Sequence, residues 1–215
     1  MKDFRLYVIT GEEFHPTRGV VEVMEEAIKG GADIIQLRDK TNSKRVVLDK
    51  ARKLRELTRK YDVPFIVNDH IDIALAVDAD GIHLGQDDMP LHLARAIVGK
   101  DKIIGISTHR IQEAREAEQG GADYIGAGPI FPTNSKSDVV DPVTTSYLNE
   151  IVSEISIPFV AIGGIKLHNV ADVVNSGANR ICVISEVVGS EDVKGTCEMF
   201  IQKIGERGFS YESIN

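Results

Sequence analysis

The chain predicts a closed (β/α)8 TIM barrel, built as a single domain over all 215 residues. Three observations point there. Short, uniformly apolar runs alternate eight times with helical stretches, the pattern of parallel strands covered by helices. A length of 215 residues is normal for one such barrel. A short motif also recurs before every second strand: Gly31-Ala32-Asp33, Asp78-Ala79-Asp80, Gly121-Ala122-Asp123 and Gly177-Ala178-Asn179. Its glycine suits a helix C-terminus, its alanine a close helix–sheet contact, and its Asp or Asn the turn into a strand. Joints of one build favour a ring over an open doubly wound sheet, although periodicity alone does not prove closure.

The first strand is Leu6–Thr10 and the second Ile34–Arg38. The second runs on through Gln36-Leu37-Arg38-Asp39-Lys40, and a period of two places Gln36, Arg38 and Lys40 on one face. Apolar Ile35 and Leu37 suit the helix layer, which turns Gln36 and Arg38 into the barrel mouth. Two cations there require an anion, because an unpaired buried cation is costly. A structural salt bridge from Arg38 is the plainer alternative. Ser43–Tyr61 then carries apolar and charged residues at helical spacing.

The third strand, Phe65–Asn68, ends in Asn68-Asp69, and the fourth, Gly81–Leu84, in Gly85-Gln86-Asp87-Asp88. Between them Ile71 to Val77 leaves room for only a short helix, so the strands are parallel neighbours joined by a right-handed crossover. Both acidic pairs therefore emerge at the C-terminal edge of the sheet, where oxygen ligands suit a hard cation such as Mg²⁺. Taken singly they are also common turn residues. Alternation turns Asp87 inward with His83 and Gly85, while His83 itself reads as an interior histidine satisfied by neighbours.

The fifth strand, Ile103–Ser107, leads to Ser107-Thr108-His109, with Ser107 and His109 on one face. No third member of a catalytic triad accompanies them, so Ser107 reads as a hydrogen-bond donor to phosphate. After the sixth strand, Tyr124–Gly128, a long connection to about Pro142 mixes hydroxyls with Lys136, the composition of a lid or phosphate clamp. Thr145–Ile155 follows at helical spacing. The seventh strand, Phe159–Ile162, enters Gly163-Gly164-Ile165, and the eighth is Ile181–Ser185. Loops after these two strands are the standard phosphate-binding place of the fold, and glycine lets backbone N–H groups approach a ligand.

Composition excludes several function classes. With 42% hydrophobic and 27% charged residues the chain reads as an ordinary soluble globular protein. A formal net charge of −8 argues against broad nucleic-acid or anionic-membrane binding. No apolar run is long enough to span a bilayer, and Met1-Lys2-Asp3-Phe4 does not begin a signal peptide. Cys182 and Cys197 form no paired metal motif and suit a reduced, cytoplasmic setting. Oligomeric state is not legible, and a homo-oligomer stays open.

Gln36-Leu37-Arg38-Asp39-Lys40, Val67-Asn68-Asp69, Gly81 to Asp88, Gly128 to Lys136, Ile162 to Ile165 and Val183-Ile184-Ser185 together resemble the thiamin phosphate synthase family, over nearly the whole chain. That family joins hydroxymethylpyrimidine diphosphate to thiazole phosphate with loss of diphosphate. The resemblance implies Mg²⁺ on Asp69 and Asp88, choosing Asp88 where alternation chooses Asp87. It implies pyrimidine diphosphate on Gln36, Arg38, Lys40, Asn68, Ser107 and Lys136, with Arg38, Lys40 and Lys136 as the catalytic cations. Thr133, Ser135, Gly164, Ile184 and Ser185 would hold the thiazole phosphate. The chemistry implied is dissociative: diphosphate leaves a stabilised pyrimidine cation, which the thiazole nitrogen attacks.

The chain departs from the family pattern at Ser135, Ser137, Thr144, Asn179-Arg180 and Glu186, all on the expected thiazole-phosphate side. Glycine is expected near Thr144, and a small residue at Glu186, where a carboxylate would repel phosphate unless it points away. A thiazole tautomerase of the same superfamily, with His109 moving a proton, is the alternative. It would lack the Asn-Asp and Gly-Gln-acid-Asp motifs that stand here. A non-catalytic thiazole-phosphate binding protein is a third reading.

Overall fold

In the computed structural model, which describes residues 4–135 and 141–208, eight parallel strands close on themselves. They are β1 (Leu6–Ile9), β2 (Ile34–Leu37), β3 (Phe65–Asn68), β4 (Gly81–Leu84), β5 (Ile103–Thr108), β6 (Tyr124–Ala127), β7 (Phe159–Ile162) and β8 (Ile181–Val183). Each pairs with the next, and β8 pairs back to β1 through Leu6↔Ile181, Tyr7↔Cys182 and Val8↔Val183. Every residue of β1 to β4, β6 and β8 is buried. That is why the strands read as apolar runs and not as alternations. β8 ends two residues earlier than expected. Ser185 instead opens a single helical turn, because the Val188 and Gly189 amides bond to the Ile184 and Ser185 carbonyls.

The covering helices are α1 (Val20–Lys29), α2 (Lys44–Tyr61), α3 (Ile71–Ala76), α4 (Leu91–Val98), α5 (Ile111–Gln119), α6 (Thr144–Glu154), α7 (Val170–Asn175), α8 (Ser185–Val188) and α9 (Val193–Gly208). Their buried positions recur every three or four residues, as Val47, Ala51, Leu54 and Thr58 do on α2. That spacing lays one apolar stripe on the sheet and leaves the charged residues outside. Among the described residues no helix is long and apolar enough to cross a membrane.

The recurrent joints share one geometry. Gly31, Asp78, Gly121 and Gly177 all take positive φ, at 99°, 52°, 83° and 90°. The following alanine amide returns to a carbonyl five residues back, as from Ala32 to Ala27 and from Ala122 to Ala117. The next carboxylate then accepts the amide that starts the neighbouring strand. Asp33 holds Arg5 and Leu6, Asp80 holds Phe65, and Asp123 holds Ile104, at 2.7–3.0 Å. These joints seal the N-terminal end of the barrel.

The other end is opened by the connections after the strands. Asp39, just past β2, accepts the Thr41 and Asn42 amides and the Lys50 ammonium at 2.7 Å. Burial alone would raise its carboxyl pKa, but Lys50 and Asn42 hold it well below the usual range. The loop carrying Lys40 is thereby fixed.

Thr144, the first residue of α6, has φ 64°, the left-handed region that a β-branched side chain enters only under strain. This is where the family pattern leads one to expect glycine, and the backbone angle supplies the reason. Its Oγ1 accepts the Ser146 amide at 3.4 Å, a partial compensation. Thr144→Gly should therefore stabilise the fold by about 1 kcal/mol. In a thermal melt that is a rise of about 2–4 °C; a fall would show that the Ser146 contacts outweigh the strain.

Gly105 makes room for the core. A Cβ there would lie 2.1 Å from Cζ of Tyr124, whose ring fills the barrel beside β5. Gly105→Ala should cost about 1–3 kcal/mol through overpacking. An unchanged melting temperature would mean that the ring can move aside.

Candidate active site

The C-terminal ends of the strands surround one cavity of about 660 Å³. Its walls come from the connections after the strands, and they divide into two poles.

One pole is ionic. Arg38 and Lys40 follow β2, Asn68 ends β3, and Asp69, Gln86, Asp87 and Asp88 come from the connections after β3 and β4. Arg38 is set by its backbone, which exchanges bonds of 2.9 and 3.0 Å with the Thr10 hydroxyl across the β1–β2 ladder. Asp69 takes φ 60°, and its amide bonds to the His83 carbonyl at 3.0 Å, so the acid leaves β3 pinned to β4. Asp88 folds back onto the Gly85 amide at 2.7 Å. Burial first, and then the neighbouring Asp88 carboxylate, push the Asp69 pKa up, while Lys40, 3.4 Å away, opposes the rise. Of the two acids after β4, it is thus Asp88 that meets Asp69, whereas Asp87 stands exposed on the wall. Alternation misjudged the pair because the chain has already left the strand and turned.

The other pole is rich in hydroxyls and backbone, with Lys166 and Glu186 also on its wall. Thr133 and Ser135 follow β6, Gly164 follows β7, and Ile184 and Ser185 follow β8. Ser135 Oγ lies 2.8 Å from Ser185 Oγ and accepts from Thr133 Oγ1 at 3.1 Å, so three hydroxyls from two connections meet. Gly164 has φ 64°, and a Cβ on it would strike the Pro132 carbonyl oxygen at 2.6 Å. Only glycine lets these two loops touch. Glu186 also lines this wall, and its Oε1 accepts the Leu167 amide at 3.3 Å, a bond that engages part of its charge.

Between the poles, Ser107 stands on β5, its carbonyl accepting Gln86 Nε2 at 2.6 Å. His109 is on the wall too, with Nδ1 donating to the Gly128 carbonyl at 2.6 Å.

Two expectations need adjustment. Gln36 points inward but not into the mouth. It is 1% exposed and lies a layer deeper, where it lines a second small cavity of about 20 Å³ with Tyr7, His83 and Ser107. Period two gives a side chain's face, and the strand's stagger decides its depth. Asn179-Arg180 sits before β8, at the opposite end from the cavity, with the Arg180 guanidinium 5.4 Å above the Phe4 ring. That departure therefore does not touch either pole. Lys136 and Ser137 lie outside the described residues.

Sequence reasoning passed over Tyr7 and Tyr124, and it read His83 as an interior histidine satisfied by neighbours, which its bonds to Tyr124 and Ser107 make it. All three are buried in the barrel core beneath Ser107. A polar atom on the inward face of an apolar strand was the available signal, since a buried hydroxyl must find a partner.

Comparison with known proteins agrees with this arrangement. The family described as Thiamine monophosphate synthase matches residues 6–187. The thiamine-phosphate synthase of Halalkalibacterium halodurans is 72% identical over 208 residues, covering 97% of this chain and 99% of the relative. That of Shouchella clausii is 65% identical over 206 residues, covering 96% and 99%. Among solved structures, thiamine phosphate pyrophosphorylase from Pyrococcus furiosus superposes with a TM-score of 0.86 at 43% identity, covering 94% of this chain and 96% of that one. By this family match, these identities over nearly the full length and this shared fold, the chain belongs to the thiamine-phosphate synthase family of transferases.

Proposed function

We propose that the enzyme joins a hydroxymethylpyrimidine diphosphate to a thiazole monophosphate by a dissociative substitution. The bond from the methylene carbon to diphosphate breaks with its electron pair going to oxygen. The thiazole nitrogen then supplies the pair for the new C–N bond, giving thiamin phosphate and free diphosphate. One observation carries this reading: a cation-and-carboxylate pole faces a hydroxyl-and-glycine pole across a single cavity. Two phosphorylated substrates of different charge need two such poles, and neither needs a side-chain nucleophile.

On this reading Arg38 and Lys40, with Lys136, take up the charge that develops on the departing diphosphate, an electrostatic role that is largest in a shielded site. Asn68 and Ser107 orient the same group, and Thr133, Ser135, Ser185 and the backbone of Gly164 and Ile184 hold the monophosphate. Gln36 holds the pyrimidine from below. Its Oε1 is buried without a hydrogen-bond partner, an acceptor for an amino group of the ring. Holding both reactants in one frame turns a two-body encounter into a local one.

Asp69 and Asp88 fit Mg²⁺. They are adjacent carboxylates whose repulsion a cation relieves. Among the described residues no group of three or more His, Cys, Asp or Glu could form a full protein cage. Two carboxylates, with the remaining positions left to water and substrate phosphate, is the donor set this ion prefers. When bound, the ion neutralises diphosphate charge. Cys182 and Cys197 are both buried and outside any disulfide, which supports a reducing, cytoplasmic setting, and burial pushes the Cys197 pKa up to about 12.

A coupling assay with both substrates should show thiamin phosphate formation that requires Mg²⁺. Asp69→Ala should lower it by about 10²-fold or more, the scale of a lost charge-stabilising group. Full turnover in excess chelator overturns the metal assignment. Glu186→Gln keeps the bond to Leu167 while removing a negative charge from the hydroxyl-rich pole. It should lower KM for the thiazole monophosphate about 2–5-fold with kcat unchanged, the size of an exposed pair interaction. An unchanged KM would place that carboxylate out of the phosphate's reach.

A further inference from the structure

The core of this barrel is polar along one line. Gln36 Nε2 donates to Tyr7 Oη at 2.7 Å, and Tyr7 Oη lies 3.0 Å from Tyr124 Oη. Tyr124 Oη is 2.9 Å from His83 Nδ1, and His83 Nε2 is 2.9 Å from Ser107 Oγ. Four bonds thus join β2, β1, β6, β4 and β5 through the interior and end at the floor of the mouth. Gln36, Tyr7, Tyr124 and His83 are each at most 9% exposed. Barrel interiors are ordinarily filled by branched apolar residues. Phenylalanine at both tyrosines would fill nearly the same volume with no polar atom to satisfy.

Donor and acceptor chemistry gives the line a direction. An amide N–H only donates, so the Tyr7 oxygen accepts from Gln36; its own buried hydrogen needs an acceptor, and the Tyr124 oxygen 3.0 Å away supplies it. Tyr124 in turn donates to His83 Nδ1. An imidazole that accepts on Nδ1 carries its hydrogen on Nε2, which donates to Ser107 Oγ. Ser107 accepts, and its own O–H remains available to the cavity. Were the Gln36 carbonyl oxygen on Tyr7, every bond would reverse, and the Ser107 hydrogen would be consumed by His83. Burial pushes the pKa of both phenols up, so the line keeps all its hydrogens at neutral pH.

We propose that Tyr7, Tyr124 and His83 are positioning residues: they carry the orientation of the Gln36 amide through the core and set Ser107 as a hydrogen-bond donor to the departing diphosphate. The role of Ser107 rests on the function proposed above. The direction of the line does not, and it couples the two ends. A pyrimidine that engages the Gln36 carbonyl oxygen holds the amide in the orientation that frees the Ser107 hydrogen. The pyrimidine pocket thereby prepares the diphosphate site about three side chains away.

Two measurements test this. In the free enzyme, ¹⁵N NMR of His83 should show a neutral ring with hydrogen on Nε2 and a bare Nδ1. Hydrogen on Nδ1, or a charged ring at neutral pH, overturns the proposal whatever the enzyme catalyses. Tyr124→Phe keeps the ring and breaks two bonds. It should lower kcat about 10-fold with KM for either substrate within about twofold, the scale of one misdirected hydrogen bond. In a Ser107→Ala background the same substitution should change kcat less than about twofold, because the line then has nothing to set. Equal losses in both backgrounds, or no loss in the first, reject the coupling. Tyr7→Phe, one link further away, should show the same pattern more weakly, and it serves if Tyr124→Phe does not fold. Absence of coupling activity in the wild type would overturn the functional reading and the role of Ser107 with it, while the His83 measurement reports separately on the line.

Discussion

Everything in this molecule depends on the return of β8 to β1. Three residue pairs, Leu6↔Ile181, Tyr7↔Cys182 and Val8↔Val183, convert a sheet with two exposed edges into a ring without any. Closure also decides where the chemistry is. Parallel strands in a ring deliver all eight C-terminal ends to one rim. The acids after β3 and β4 therefore face the glycines and hydroxyls after β6, β7 and β8 across a single cavity. An open sheet of the same strands would spread these groups along an edge.

The two poles solve different problems. At the ionic pole like charges are held together, with Asp69 and Asp88 adjacent and Lys40 only 3.4 Å from Asp69. The hydroxyl-rich pole has hydrogen bonds already made among Thr133, Ser135 and Ser185, and the left-handed Gly164 lets two loops meet closely. On the proposed function, the first site draws its ligand by charge and the second by shape and backbone. The polar line through the core lies beneath both.

Much of this was legible in the sequence because it follows from local rules. Strand positions came from apolar runs, and the four joints from Gly or Asp, Ala and Asp or Asn in fixed order. The acidic pairs stood out because two strands separated by one short helix must be parallel. What was not legible depends on stagger and on contacts distant in sequence. Gln36 has the predicted face but sits deeper than the mouth. Asp88, and not Asp87 as alternation has it, lies beside Asp69 because the chain turns after Leu84. Tyr7 and Tyr124, 117 residues apart, meet only once the ring is closed. Ser185 was read as strand, since three residues cannot show whether an apolar run is ending or a helical turn beginning.

The joints of Asp33, Asp80 and Asp123 lie at the end of the barrel remote from the cavity, and this separates two kinds of inheritance. Substitutions at the sealed end are judged only by whether the ring still closes. The Asn179-Arg180 pair lies there, away from the cavity lining, with its guanidinium over Phe4. Substitutions at the open end are judged by substrate as well, and Glu186, though bonded to Leu167, stands on the cavity wall. The barrel can thus drift at one end on the terms of folding alone, while its other end answers to metabolism.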